Sequence, residues 1–206
     1  MSGFLQAADP PLVLASTSAT RAALLRSAGI AFETAAPGVD EAAVKESAKA
    51  EGLSAEECAL LLAEMKARRV GERRPEALVI GADQILVCDG VWFDKPQDQD
   101  AAARQLAALA GRPHALVTAV VCFRGGVRVW QTLAVPQLAL RALRPETIAA
   151  YVAAAGDAVR RTVGAYAVEG LGMRLMAEVS GEHSAILGLP LLPLLGFLRQ
   201  HGVLRD

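Results

Sequence analysis

Leu12-Val13-Leu14-Ala15-Ser16-Thr17-Ser18-Ala19-Thr20-Arg21 passes from an apolar run into a polar one within ten residues, and the reading of the chain starts there. Its first four residues predict a short buried strand, too brief and too β-branched to start a helix. Ser16-Thr17-Ser18 makes a polar turn, and residues 19–28 predict a helix stopped by Gly29. A strand that feeds a helix through such a turn aims free backbone N–H groups at the space ahead of the helix, a natural place for an anion.

Working outward, residues 45–50 suit either a loop or a short helix. Ser54 and Glu57 have capping-box spacing and open a further helix, with Leu60, Leu61 and Met65 expected on its core side and Gly71 at its end. Residues 77–88 hold two strand-like runs interrupted by Gly81-Ala82-Asp83. Asp89-Gly90 then predicts a tight turn into Val91-Trp92-Phe93, completing a hairpin. A helix is expected over 98–110, stopped by Gly111, followed by strands over 116–123 and 127–140 about the Gly125-Gly126 turn. Pro145 suits the first position of a helix reaching residue 154. Short strands over 165–168 and 173–179 and a last helix from Leu191 complete the order. Strands and helices interleave, yet hairpins occur, so the expected class is α/β with a mixed β-sheet flanked by helices. No repeat or linker divides the chain, and residues 1–206 are expected to form a single domain.

The composition is that of a globular protein, 53% hydrophobic and 21% charged, with a net charge of -1. That balance argues against a nucleic-acid coat, which needs a basic face, but leaves room for a local cationic pocket. Cys58, Cys88 and Cys122 are odd in number and lack metal or redox spacing, so they read as small buried hydrophobes. Met1-Ser2-Gly3-Phe4-Leu5-Gln6 shows no secretory pattern. The most apolar stretch, 186–198, is too short to span a bilayer and carries Pro190 and Pro193. A cytoplasmic protein with neither nucleic-acid nor membrane partners is the expectation.

Three groups of residues carry possible chemistry. Ser16, Ser18 and Arg21 can hold phosphate oxygens through hydroxyls, N–H groups and a two-pronged guanidinium, although ordinary helix capping explains the serines equally. Asp83 stands in an apolar strand, where a carboxylate needs a cation or donors. It can bind Mg²⁺ or Mn²⁺ and deprotonate a water, or sit at a bulge facing solvent. Lys66, Lys95 and Glu41 could neutralise phosphates or ligate a metal, but each taken alone also reads as a solvated surface residue. His114, His183 and His201 have no metal-ligand spacing and suggest peripheral hydrogen bonding. There is no P-loop.

Taken together, these pieces resemble the Maf family of nucleotide pyrophosphatases over almost the whole chain. The matching segments are Leu12-Val13-Leu14-Ala15-Ser16-Thr17-Ser18 with Arg21, Asp40-Glu41, Glu64-Met65-Lys66-Ala67, Gly81-Ala82-Asp83 and Lys95-Pro96. Gly111-Arg112-Pro113-His114, Thr118, Gly164-Ala165-Tyr166, Glu169-Gly170 and Gly188-Leu189-Pro190-Leu191 follow in order. The resemblance implies two lobes with a deep cleft, a homodimer, and hydrolysis of nucleoside triphosphates to the monophosphate and pyrophosphate with a divalent metal cation (Mg²⁺ or Mn²⁺). It implies that Asp83 is the catalytic carboxylate and that Ser16, Ser18, Arg21, Lys66 and Lys95 hold the triphosphate. Glu41 and Asp83 are the implied metal ligands.

The departures bear on the base. Relatives commonly carry Ser-Pro-Arg-Arg where this chain has Ser18-Ala19-Thr20-Arg21, so Thr20 replaces an arginine. Gln84 and Glu169 stand where the pyrimidine-directed pattern has Thr and Gln. With Thr20, they are similar to the subgroup acting on 7-methyl-GTP, in which a carboxylate can accept from guanine N–H donors. That subgroup often has Trp at the position of Thr20. The alternatives are a dTTP/UTP pyrophosphatase, or a nucleotide-binding regulator of cell division or septum formation.

Overall fold

In the computed structural model, which describes residues 5–205, the opening strand is β1, Leu12–Leu14. Residues 1–4, part of the N-terminal pattern read above, lie outside the described residues. Strand β1 runs parallel to β2, Glu33–Thr34, and to β3, Leu78–Cys88. The following pairings are antiparallel. Strand β4, Val91–Phe93, pairs with β3, while β5, Pro113–Arg124, pairs with β6, Val127–Ala134, and with β7, Gln137–Leu140. Strand β8, Met176–Ser180, pairs with β7. The eight-stranded sheet has the order β2-β1-β3-β5-β7-β8, with β4 on β3 and β6 on β5. This is the mixed, helix-flanked sheet that the interleaved pattern predicts.

The helices are α1, Ala19–Ser27; α2, Glu41–Ala50; α3, Ala55–Gly71; α4, Gln99–Leu109; α5, Pro145–Ala155; α6, His183–Ile186; and α7, Leu191–Gln200. None of the described helices is long and apolar enough to cross a membrane. The chain divides into two compact units. One takes the residues up to Gln84, Thr118–Ala134 and Glu182 onward; the other takes Ile85–Val117 and Val135–Gly181.

In the first unit, the two-residue period of a strand assigns β3 to two different neighbours. Leu78, Ile80 and Ala82 join Leu12 and Leu14 in a cluster with Leu25 of α1 and Leu194, Phe197 and Leu198 of α7. Burying each such leucine or phenylalanine contributes roughly 1.5–3 kcal/mol, which anchors both helices. Val79 and Gly81 instead meet α3. A Cβ built on Gly81 would lie 2.2 Å from Ala63 O and 2.9 Å from Ala67 Cβ, so only a glycine lets the helix lie this close. The capping box at Ser54 and Glu57 forms as expected, with both bonds present. The core side of α3 differs from the expected one: Ala55, Cys58, Ala59, Leu62, Ala63, Lys66, Ala67 and Val70 are buried, whereas Leu61 is exposed and Leu60 and Met65 are half-buried. Small residues must line the side that meets Gly81, and that requirement overrides the bulk of Leu60, Leu61 and Met65.

Two further expectations change here. Gly81-Ala82-Asp83 does not interrupt a strand but lies inside a continuous one of 11 residues. Helix α2 starts at Glu41, earlier than residue 45, because Asp40 accepts from Ala43 N at 3.1 Å and caps it.

The second unit holds the β4 hairpin, whose turn has φ 48° at Asp89 and 78° at Gly90, as Asp-Gly predicts. Helix α4 is capped by Asp98. The expected strand over 127–140 is two strands, β6 and β7, separated at Val135-Pro136; proline has no N–H to give a ladder. No strand forms over 165–168. Val163–Ala165 is a 3₁₀ turn in which Gly164 and Ala165 have φ 78° and 62°, a backbone that cannot extend. Strand β8 starts at Met176, after a 3₁₀ turn over Leu171–Leu175. All three cysteines are buried, as expected.

Candidate active site

The site assembles on the first unit from the start of α1, the start of α2, the middle of α3 and the interior of β3. At α1, Ser18 is the N-cap, and its hydroxyl accepts from Arg21 N at 3.3 Å. Ser16 is buried, and its Oγ accepts from Ser18 N at 3.1 Å. The Arg21 side chain turns back over this loop, donating from Nε to Gly188 O at 2.8 Å and from Nη1 to Ser16 Oγ at 3.5 Å. Capping and guanidinium placement therefore share the same hydroxyls. Burial lowers the pKa of Arg21 from its usual value, while the charges of Asp83 and Glu41 act in the opposite direction, so their fields reach it. Thr20 is exposed.

On the α3 side of β3, Lys66 Nζ lies 2.5 Å from Asp83 Oδ1 and 2.6 Å from Glu41 Oε1. Lys66 and Asp83 are buried, and Glu41 is half-exposed. Burial raises the Glu41 pKa, but the charge and hydrogen bond of Lys66, helped by Lys45 and Arg21, hold it below its ordinary 4.5. Glu41 also sits in the first turn of α2, where the helix dipole favours an anion.

The other Asp83 oxygen decides what this cluster can hold. Asp83 Oδ2 is buried and, among the described residues, has no hydrogen-bond partner. An anionic oxygen without donors is costly, and a cation or a water is the group that relieves it. Among the described residues, no three His, Cys, Asp or Glu side chains gather into a metal cage. Mg²⁺ needs less than a cage, because it takes one or two carboxylates and completes its shell with water and substrate phosphates. Asp83 and Glu41 fit that requirement.

Gln84, next to Asp83, engages other partners. Its Nε2 donates to Thr118 Oγ1 at 2.8 Å, Ala185 O at 3.0 Å and Ile186 O at 3.1 Å. Thr118 is fully buried and donates to Ala185 O at 3.0 Å. Nothing in the side-chain chemistry of Thr118 or Gly188 marks them in the sequence. Only the resemblance singled them out, without giving either a role.

Ser16, Ser18, Arg21, Glu41, Lys66, Asp83 and Gln84 thus lie within the first unit. Lys95 follows β4 and Glu169 follows Val168; both are exposed and belong to the second unit. His114 is not peripheral. It is buried, its Nε2 lies 2.7 Å from the Tyr166 hydroxyl, and desolvation lowers its pKa. His183 and His201 are exposed.

The sequence profile of the family described as Maf-like protein matches residues 11–201. The chain belongs to the Maf family. Its Maf relatives include a protein of Rhodospirillum rubrum, 49% identical over 97% of this chain and 99% of its own length, named nucleoside triphosphate pyrophosphatase. Proteins with the same name from Granulibacter bethesdensis (47% identical, 94% and 98% covered) and Paramagnetospirillum magneticum (50%, 93% and 99%) are similar over as much of the Maf chain.

Proposed function

We propose that this chain is a nucleoside triphosphate pyrophosphatase, a hydrolase that cleaves its substrate to the nucleoside monophosphate and pyrophosphate. One observation carries the chemistry: a buried carboxylate with one oxygen fixed by Lys66 and the other, Asp83 Oδ2, without a partner among the described residues. In the proposed reaction, water attacks the α-phosphorus, its proton passes to Asp83 Oδ2, and the α–β bridging P–O bond breaks, with its electrons leaving on pyrophosphate. Lys66 holds the Asp83 carboxylate in place through Oδ1. Ser16, Ser18 and Arg21 hold the phosphates at the start of α1. Asp83 and Glu41 would hold a divalent metal, Mg²⁺ or Mn²⁺, which when bound screens phosphate charge and polarises the phosphorus.

For the base, the reading leans towards 7-methyl-GTP. Gln84 spends its N–H groups on Thr118, Ala185 and Ile186, which leaves its Oε1 as an acceptor, and Glu169 is an acceptor by nature. Thr20 stands at the third specificity position. A cytoplasmic homodimer, acting as a single domain without nucleic-acid or membrane partners, completes the reading.

The purified protein with Mg²⁺ or Mn²⁺ should release pyrophosphate from a panel of nucleoside triphosphates, turning over 7-methyl-GTP faster than UTP or dTTP. Failure on every nucleotide with both metals overturns the reaction. The reverse order of rates removes the preference alone.

A further inference from the structure

The Arg21 guanidinium is held by the segment that carries Gly188, which also accepts hydrogen bonds from Gln84. Gly188 O accepts from Arg21 Nε at 2.8 Å. Gly188 has φ 94°, and a Cβ there would come within 3.3 Å of the same Nε, so a bare backbone presents this carbonyl. Gly188 N in turn donates to Ala185 O at 3.0 Å. That carbonyl also accepts from Thr118 Oγ1 at 3.0 Å and Gln84 Nε2 at 3.0 Å. The far end of the segment is fixed by Glu182, whose carboxylate accepts from the Ser184 hydroxyl and from the backbone N–H of Leu191 and Leu192 at the start of α7.

We infer that Thr118 is a positioning residue which, through Ala185 O and Gly188, fixes the Arg21 guanidinium for the substrate phosphates. The inference rests on the reading of Arg21 as a phosphate ligand. A hydroxyl buried this completely is expensive unless it is bonded. Thr118 makes both uses of its oxygen, accepting from Gln84 and donating to Ala185. The turn that carries Gly188 is thereby tied to β5 instead of being free to move with solvent. An arginine held at Nε keeps its two terminal nitrogens pre-aimed, so less side-chain entropy is lost when phosphate arrives. Gln84 ties the same turn, but its Oε1 also belongs to the base reading, so Thr118, which carries no role towards the base, is the residue to vary.

The test uses Thr118→Val, which keeps shape and loses the hydroxyl, Thr118→Ser, which keeps the hydroxyl, and Arg21→Ala alone and with Thr118→Val. Initial rates with nucleoside triphosphates give KM and kcat, and inhibition by inorganic tripolyphosphate reports phosphate binding without a base. Thr118→Val should raise KM and the tripolyphosphate inhibition constant by about tenfold, the worth of one well-made hydrogen bond, with the same factor for every base. Thr118→Ser should restore both. In the Arg21→Ala background, Thr118→Val should add no further loss, since two residues acting through one contact are not additive. An equal loss with and without Arg21, or a loss that serine does not repair, overturns the inference, because Thr118 then only supports the fold. If Arg21→Ala itself leaves tripolyphosphate inhibition unchanged, the phosphate reading of Arg21 fails and takes the relay with it. An unchanged Thr118→Val beside an impaired Arg21→Ala sinks the relay alone.

Discussion

Lys66 Nζ stands 2.5 Å from Asp83 Oδ1, and each side chain is only 4% exposed. Removing one member of such a pair strands the other charge in a poor solvent, typically at a cost of about 3–5 kcal/mol. The two possible removals are not equivalent. Lys66 has Glu41 as a second partner at 2.6 Å, whereas Asp83 has only Lys66 among the described residues. Lys66→Met should therefore destabilise the protein more than Asp83→Asn in urea melts. Asp83→Asn should stay folded while pyrophosphate release falls by about 10²–10⁴-fold, the range for a general base. An Asp83→Asn protein with near-normal turnover is incompatible with the proposed mechanism.

Gly81→Ala should act on the site without touching a polar group. The new methyl would lie 2.2 Å from Ala63 O and 2.8 Å from Ala67 N, which are backbone atoms and cannot swing aside. Helix α3 has to lift from β3, at a cost near 3 kcal/mol, the upper end for overpacking. Lys66 is carried away from Asp83 in the process. Urea denaturation and pyrophosphate release should fall together, and a variant with wild-type stability contradicts the close packing.

The same glycine shows why the sequence was only partly legible. Periodicity and turn chemistry point to the helix cap at Ser54, the helix starting near Asp98 and the Asp89-Gly90 hairpin, because each is decided within a few neighbouring residues. Gly81 reads as a break because its role depends on Ala63 and Ala67, which reach it only in the folded chain. The same holds for α3, where bulk suggested Leu60, Leu61 and Met65 but close packing selects alanines. At the site, Asp83 stood out as a charge in an apolar run. Its Lys66 partner, taken alone, reads as a surface lysine, because the packing of α3 on β3 that buries it is not a local property of the sequence. Thr118 carries no chemical signal in the sequence, since its hydroxyl matters only for the backbone of residues that follow 67 positions later.

His114 gives a pH dependence with a defined direction. Burial lowers its folded pKa below the ordinary 6.5, so the unfolded chain binds a proton first as the pH drops. Its favourable contribution is complete above 6.5 and declines as the pH falls below that value. His114→Gln retains a polar end for the Tyr166 hydroxyl but does not titrate. The stability gap between wild type and variant, read from thermal melts, should narrow from pH 7.5 to pH 5.5. A gap that widens on acidification contradicts a neutral buried imidazole.

Arg21→Lys preserves the charge and removes the fork. The guanidinium donates to Gly188 O at 2.8 Å and to Ser16 Oγ at 3.5 Å, and it retains other N–H groups for phosphate. A lysine ammonium is a compact point charge and cannot reproduce that geometry. The expected result is a rise in KM of about tenfold, the worth of one lost charge-assisted bond, for every triphosphate tested. The ratio of kcat/KM between 7-methyl-GTP and UTP should not move, because the phosphates are common to both substrates. A changed ratio with an unchanged KM assigns Arg21 to the base and removes it from the phosphate site.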